Sequence, residues 1–165
     1  MAGHKPFPVV RALAEARVDF VVVGGLAAVL DGAPIATLDV DIVHSREPEN
    51  LDRLLDALGR LDAFFRIQPE RRIRPETSHL AGFGHLNLST RHGPLDLLGT
   101  IGRGRGYEDL LPHTVEMDLG EGVRVRVLDL ETVIAIKEEV GGEKDLATLP
   151  TLKRTLREIR DRSRQ

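Results

Sequence analysis

The chain has 165 residues, of which 41% are hydrophobic, 30% charged and only 4% aromatic, with a formal net charge of −3, so its core must be aliphatic. No apolar run approaches the roughly 20 residues that cross a bilayer, no apolar signal core follows the start from Met1 to Phe7, and cysteine is absent. These features exclude a membrane span, disulfides, thiolate zinc sites and cysteine nucleophiles, and they lead us to expect a cytoplasmic single domain over 1–165, with no membrane partner and with 130–165 as its helical C-terminal part.

In chain order, Phe7 to Ala16 carries Val10, Leu13, Ala14 and Ala16 at near-helical spacing and predicts a short helix. Val18 to Val23 is β-branched and apolar apart from Asp19, and stops at Gly24-Gly25, as a buried strand ending in a turn would. A short helix is expected from Leu26 to Leu30, closed by Asp31-Gly32. Leu38 to Val43 alternates apolar and acidic residues and predicts a second strand, with Asp39 and Asp41 sharing one face. Glu49 to Leu61 places five leucines at spacings of three and four, an amphipathic helix.

Phe64 to Thr77 is rich in Arg and Pro and reads as a strand fragment plus loop. Gly84 to Ser89 and Pro94 to Leu98 predict a hairpin turning near Arg91-His92-Gly93, followed by a glycine-rich loop from Gly99 to Gly106. Within it, Gly102-Arg103-Gly104-Arg105-Gly106 reads as a mobile surface loop. Val115 to Leu119 and Val123 to Leu128 form a second hairpin. A helix from Leu130 to Val140 starts on Asp129 as N-cap, and a last helix from Lys144 to Arg162 is expected to break or restart near Pro150-Thr151. This order implies an α/β (α+β) protein with a mixed sheet flanked by helices.

Two basic clusters stand out, Arg66, Arg71, Arg72 and Arg74, and the tail from Lys153 to Arg164. Solvated surface is the favoured reading of both over contact with nucleic acid. His79, His85 and His92 are spaced by six and seven, which matches no usual zinc pair. They read as loop and strand-edge residues, with His85 a candidate for an acceptor site.

The chemistry begins at Asp39-Val40-Asp41. Residues i and i+2 of a strand point the same way, so two carboxylates stand side by side and repel unless a cation lies between them; hard oxygen donors suit Mg²⁺ or Mn²⁺. Gly24-Gly25 ends the preceding strand and opens a helix, where close backbone approach and free amides suit a phosphate. No Gly-x-Gly-x-x-Gly or Gly-Lys-Ser/Thr follows, which sets aside the Rossmann and P-loop motifs. Asp96 is a single acid inside the apolar strand Pro94 to Leu98, where a lone carboxylate is costly without a partner or a metal. Lysines number only four, and Lys137 lies in the apolar helix turn Val133 to Lys137 while Lys144 follows Gly141-Gly142; either ammonium suits a triphosphate.

Val21-Val22-Val23-Gly24-Gly25, then Ala36-Thr37-Leu38-Asp39-Val40-Asp41-Ile42, then Leu95-Asp96-Leu97, resembles the DNA polymerase beta-like nucleotidyltransferase superfamily. The stretch from Val125 to Asp145 looks like the branch of abortive-infection-type nucleotidyltransferase toxins and small relatives. The likeness runs from about Val18 to Leu156. It implies transfer of a nucleoside monophosphate from an NTP, such as ATP, to a hydroxyl of a tRNA, a protein or a small molecule, with Mg²⁺ or Mn²⁺ as cofactor. A cognate partner protein would follow if the chain belongs to a toxin–antitoxin pair. The resemblance assigns Asp39, Asp41 and Asp96 as metal ligands around two ions, with Asp96 receiving the acceptor's proton. It further implies Gly24, Gly25 and Thr37 around the phosphates, and Lys137 and Lys144 on the leaving pyrophosphate. Where the family often carries a basic residue two positions before Thr37, this chain has Ile35. A non-catalytic nucleotide- or partner-binding module on the same fold, and a metal-dependent phosphohydrolase, are the competing readings.

Overall fold

The structure, a computed structural model, describes residues 6–37 and 39–165. The elements in order are α1 (Pro6–Glu15), β1 (Phe20–Val23), α2 (Gly24–Leu30), β2 (Val40–His44), α3 (Pro48–Arg60), β3 (Phe64–Phe65), α4 (Thr77–Ala81), β4 (Leu86–Thr90), β5 (Gly93–Leu97), α5 (Tyr107–Leu110), β6 (Thr114–Asp118), β7 (Arg124–Leu128), α6 (Leu130–Val140) and α7 (Glu143–Ser163). One seven-stranded sheet runs β3-β4-β5-β2-β1-β7-β6. β1 lies parallel to β7 and β2 parallel to β5, and the other neighbours are antiparallel, so the sheet is mixed.

The central strands β1 and β2 are apolar because helices flank the sheet, and Val21, Val22, Ile42 and Val43 have no exposed surface. α2 packs on β1, β2 and β7 and against α6, which carries α7. α1 touches α3 and the sheet, and α3 holds α4. The leucine stripe of α3 supplies Leu51, Leu54 and Leu58 to the core. The same helix buries Asn50, whose amide donates to the carbonyls of Asp19 (3.0 Å) and Ser45 (2.8 Å) while its oxygen accepts the Asp19 N–H (2.7 Å). That side chain joins the segment entering β1 to the segment leaving β2, with every polar group satisfied.

Several expectations change. The second strand starts at Val40 instead of Leu38, and Asp39 stands just before it; Leu38 itself lies outside the described residues. The Arg/Pro-rich stretch contains a 3₁₀ turn at Pro69–Arg71, and the short helix α4 begins where it ends, at Thr77. α5 follows the glycine-rich loop where no element was expected. The last helix does not break: α7 is continuous for 21 residues with Pro150 inside it. Burial of Leu149 and Leu152 on both sides of the proline carries the helix through it despite the lost backbone donor. Asp129 does cap α6, its Oδ1 accepting the Thr132 N–H at 2.8 Å. Among the described residues, no helix is long and apolar enough to cross a membrane.

The basic clusters are partly spent on internal partners. Arg72 and Arg74 both hold Asp62, and Arg71 donates to Gln68. Lys153 and Arg160 of α7 pair with Glu138 and Glu131 of α6. The glycine-rich loop is tied down, contrary to the mobile loop expected. Ile101 and Arg105 exchange backbone hydrogen bonds at 2.9 Å each, and the Arg105 guanidinium forks onto both oxygens of Glu139 at 2.7 Å.

Candidate active site

A single row across the sheet sets the site. Val23 pairs with Asp41, Asp41 with Asp96, and Asp96 with Asn87, linking β1, β2, β5 and β4. Residues in register on neighbouring strands point to the same face, with strands about 4.8 Å apart. Asp96 therefore stands beside Asp41. Burial raises the Asp41 carboxyl to about 7, helped by the Asp96 charge, by a hydrogen bond with Asp96, and by the Asp39 charge; the Arg66 guanidinium pulls the other way. Two carboxyls held side by side, one of them destabilised as an anion by burial and by its neighbour, are a donor set a hard divalent cation fits. Asp39, Asp41 and Asp96 would hold such an ion. Even so, among the described residues no three Asp, Glu or His side chains already stand together as a complete metal cage.

Gly24 is fitted to Asp41 as much as to any ligand. Its φ is +66°, and a β-carbon there would lie 2.7 Å from Asp41 Oδ2. A side chain at this position would be strained and would displace the carboxylate. At Gly25 a β-carbon would come 3.0 Å from the Thr37 hydroxyl, so Thr37 sits over the start of α2. Thr37 Oγ1 donates to the Asp39 carbonyl at 3.4 Å, a long bond linking it to the first aspartate.

A cleft of about 370 Å³ opens at this end of the sheet, between the tip of β1 and α6. Gly24, Asp41, His85, Lys137 and Asp145 contribute its polar lining, and Val23, Leu128 and Ile136 are among its apolar walls. Its volume lies in the range of small-molecule sites. Lys137 and Asp41, nearly 100 residues apart in sequence, thus face one space. The Lys137 ammonium donates to Asp145 Oδ1 at 2.8 Å and is mostly covered. Lys144 is exposed in the first turn of α7 and does not line the cleft, whereas its neighbour Asp145 does. His85 lines the cleft with Nε2 3.3 Å from the Thr100 carbonyl, while His79 closes α4 through the Glu76 N–H. Ile35 packs against the core.

Sequence reasoning did not find Arg66 at the site. Its Nη2 donates to Asp96 Oδ1 and its Nη1 to the Leu88 carbonyl at 2.9 Å. The signal available was a basic residue after a strand fragment, indistinguishable in a chain rich in arginine from its three neighbours.

No family model matches this chain, and no curated protein matches it. A solved structure does: a crystal structure from Thermotoga maritima described as a "putative nucleotidyltransferase" is similar over 92% of both chains, with a TM-score of 0.54 at 19% identity. At that identity the likeness concerns the fold. The mixed sheet with its flanking helices and C-terminal helix is nucleotidyltransferase-like.

Proposed function

We propose that this chain is a divalent-metal-dependent nucleotidyltransferase, moving an NMP from an NTP to a hydroxyl on RNA, protein or a small molecule. The observation that carries the reading is the Asp41–Asp96 carboxyl pair, held in register at the edge of a cleft that Gly24 and Lys137 also line. A bound Mg²⁺ or Mn²⁺ would neutralise phosphate charge and lower the pKa of the acceptor hydroxyl. The protein's own groups do the rest. Asp39 and Asp41 would hold the ion, and so set where the triphosphate lies. Gly24 and Gly25 leave room for phosphate beside Asp41, and Thr37 braces that turn. Asp96 receives the proton of the acceptor hydroxyl. Lys137 exchanges its Asp145 partner for the leaving pyrophosphate. A toxin–antitoxin setting with a cognate partner protein is the context the sequence resemblance suggests.

A second reading, a nucleotide-binding module without turnover, is favoured by the apolar Ile35 packed on the core and by the Lys137–Asp145 pair. Two measurements separate them. Thermal melts with NTP and Mn²⁺ should show a rise in Tm that the Asp39→Ala/Asp41→Ala variant lacks; no rise in the wild type would sink both readings. Incubation with labelled NTP, Mn²⁺ and a lysate holding RNA and protein should then label one fraction, and Asp96→Asn should stop it. Binding without label in any fraction would leave the module reading.

A further inference from the structure

Asp96 is 15% exposed, and one of its oxygens is already engaged by a cation of the protein itself. Arg66 follows β3 at the edge of the sheet, reaches across β4, and is held at three points. Its backbone N–H donates to the Asn87 carbonyl at 3.0 Å, its Nη1 to the Leu88 carbonyl at 2.9 Å, and its Nη2 to Asp96. Asn87 is the register partner of Asp96, so backbone and side chain of Arg66 grip the same place on the sheet. A guanidinium is planar and rigid: with Nη1 fixed on a strand carbonyl, Nη2 has little freedom of aim. The pair is two-thirds or more covered on both sides.

Two further observations agree. Of Asp39, Asp41 and Asp96, only Asp41 lines the cleft. Among the described residues no three acidic or histidine side chains are gathered for a metal. Three carboxylates and one guanidinium leave two negative charges, the amount one divalent ion neutralises. A second dication beside Asp96 would meet Arg66 at contact distance, where like charges in partly covered surroundings repel strongly.

We propose that Arg66 is the resident cation of the site: it takes the place beside Asp96 that a second metal ion would occupy, and the chain binds one divalent ion, on the Asp39–Asp41 side. This rests on the metal-dependent reading above and replaces a two-ion clamp with one ion and one arginine. Arg66 acts through Asp96 and is a positioning residue. It holds that carboxylate in place whether or not an ion is bound.

Titration of the full chain with Mn²⁺, followed by loss of the free aqueous Mn²⁺ signal in electron paramagnetic resonance, counts bound ions per chain. The expected count is one for the wild type, one for Arg66→Lys, which keeps the charge, and two for Arg66→Met, which keeps the aliphatic stem and removes it. Arg66→Gln replaces Arg66→Met should the latter not melt cooperatively. A wild type that binds two ions would overturn the proposal and leave the nucleotidyltransferase reading standing. A wild type that binds none would overturn both. A neutral variant that stays at one ion would also overturn the assignment of Arg66.

Discussion

Gly24 shows how a single residue serves backbone and site together. Its left-handed φ and the Asp41 oxygen where its β-carbon would be are two separate reasons for glycine. Gly24→Ala should lower stability by about 2 kcal/mol, from left-handed strain plus displacement of the carboxylate. It should also remove the Mn²⁺-dependent rise in Tm. Gly25→Ser, whose backbone is not left-handed and whose neighbour is a movable hydroxyl, should keep that rise. Asp31 belongs to the same scale. It ends α2 with a buried, unpartnered Oδ2, and burial, then the Asp129 charge, raises its carboxyl to about 7. Between about pH 4 and pH 7 the folded chain therefore holds this proton more tightly than the unfolded chain, and stability falls as pH rises through that window. Asp31→Asn removes the penalty. Denaturant melts should show the variant level with wild type at pH 4 and more stable at pH 8, on the order of 1 kcal/mol after allowing for partial exposure. Equal stabilities at pH 8 would contradict it.

Among the elements, those with an apolar period or a turn signal were legible, and the two shortest helices, α4 and α5, were not. The leucines of α3 and the valines of β1 repeat often enough for the period to be read, and their ends came within two residues. α4 and α5 have only five and four residues, too short for any period, so tertiary contacts decide them. At α7 the local signal was overruled. Proline disfavours the helix interior, yet Leu149, Leu152 and Thr155 are buried along one face, and that burial carries the helix through. Pro150→Ala should restore one backbone hydrogen bond and raise stability by about 1–3 kcal/mol, read as a higher denaturation midpoint with an unchanged slope. A loss of stability would mean the proline relieves strain between α6 and α7.

At the scale of the molecule, the cleft exists because the chain order is shuffled in the sheet. β2 and β5 lie parallel and adjacent although their register partners Asp41 and Asp96 are 55 residues apart in the chain, and α6 returns over the tip of β1. The loop Gly99–Gly106 is drawn onto α6 by the Arg105–Glu139 fork, which narrows the cleft near Ile101 and Gly102. Arg105 and Glu139 hold each other charged, the hydrogen bond raising the arginine pKa and lowering the carboxyl. Arg105→Met should free the loop without unfolding the sheet. Hydrogen exchange at the Ile101 and Arg105 amides should then quicken by roughly tenfold or more while core amides are unchanged. Exchange that stays slow would show the turn to be held by its backbone bonds alone.

The mixed α/β architecture, the caps and both hairpins were readable from the chain, because local propensity and apolar period are properties of contiguous residues. Asp39, Asp41 and Asp96 were picked out the same way, as acids interrupting apolar strands, and Lys137 as a charge in an apolar helix. Only the tertiary structure decided which of these meet. Register aligned Asp96 with Asp41, and the return of α6 put Lys137 on the cleft, while Lys144 at the start of α7 faces solvent. The pairing of a two-residue strand fragment at the sheet edge delivered Arg66 across β4 onto Asp96. Pairing between distant segments is set by burial of shared faces, and no local window of sequence contains that information.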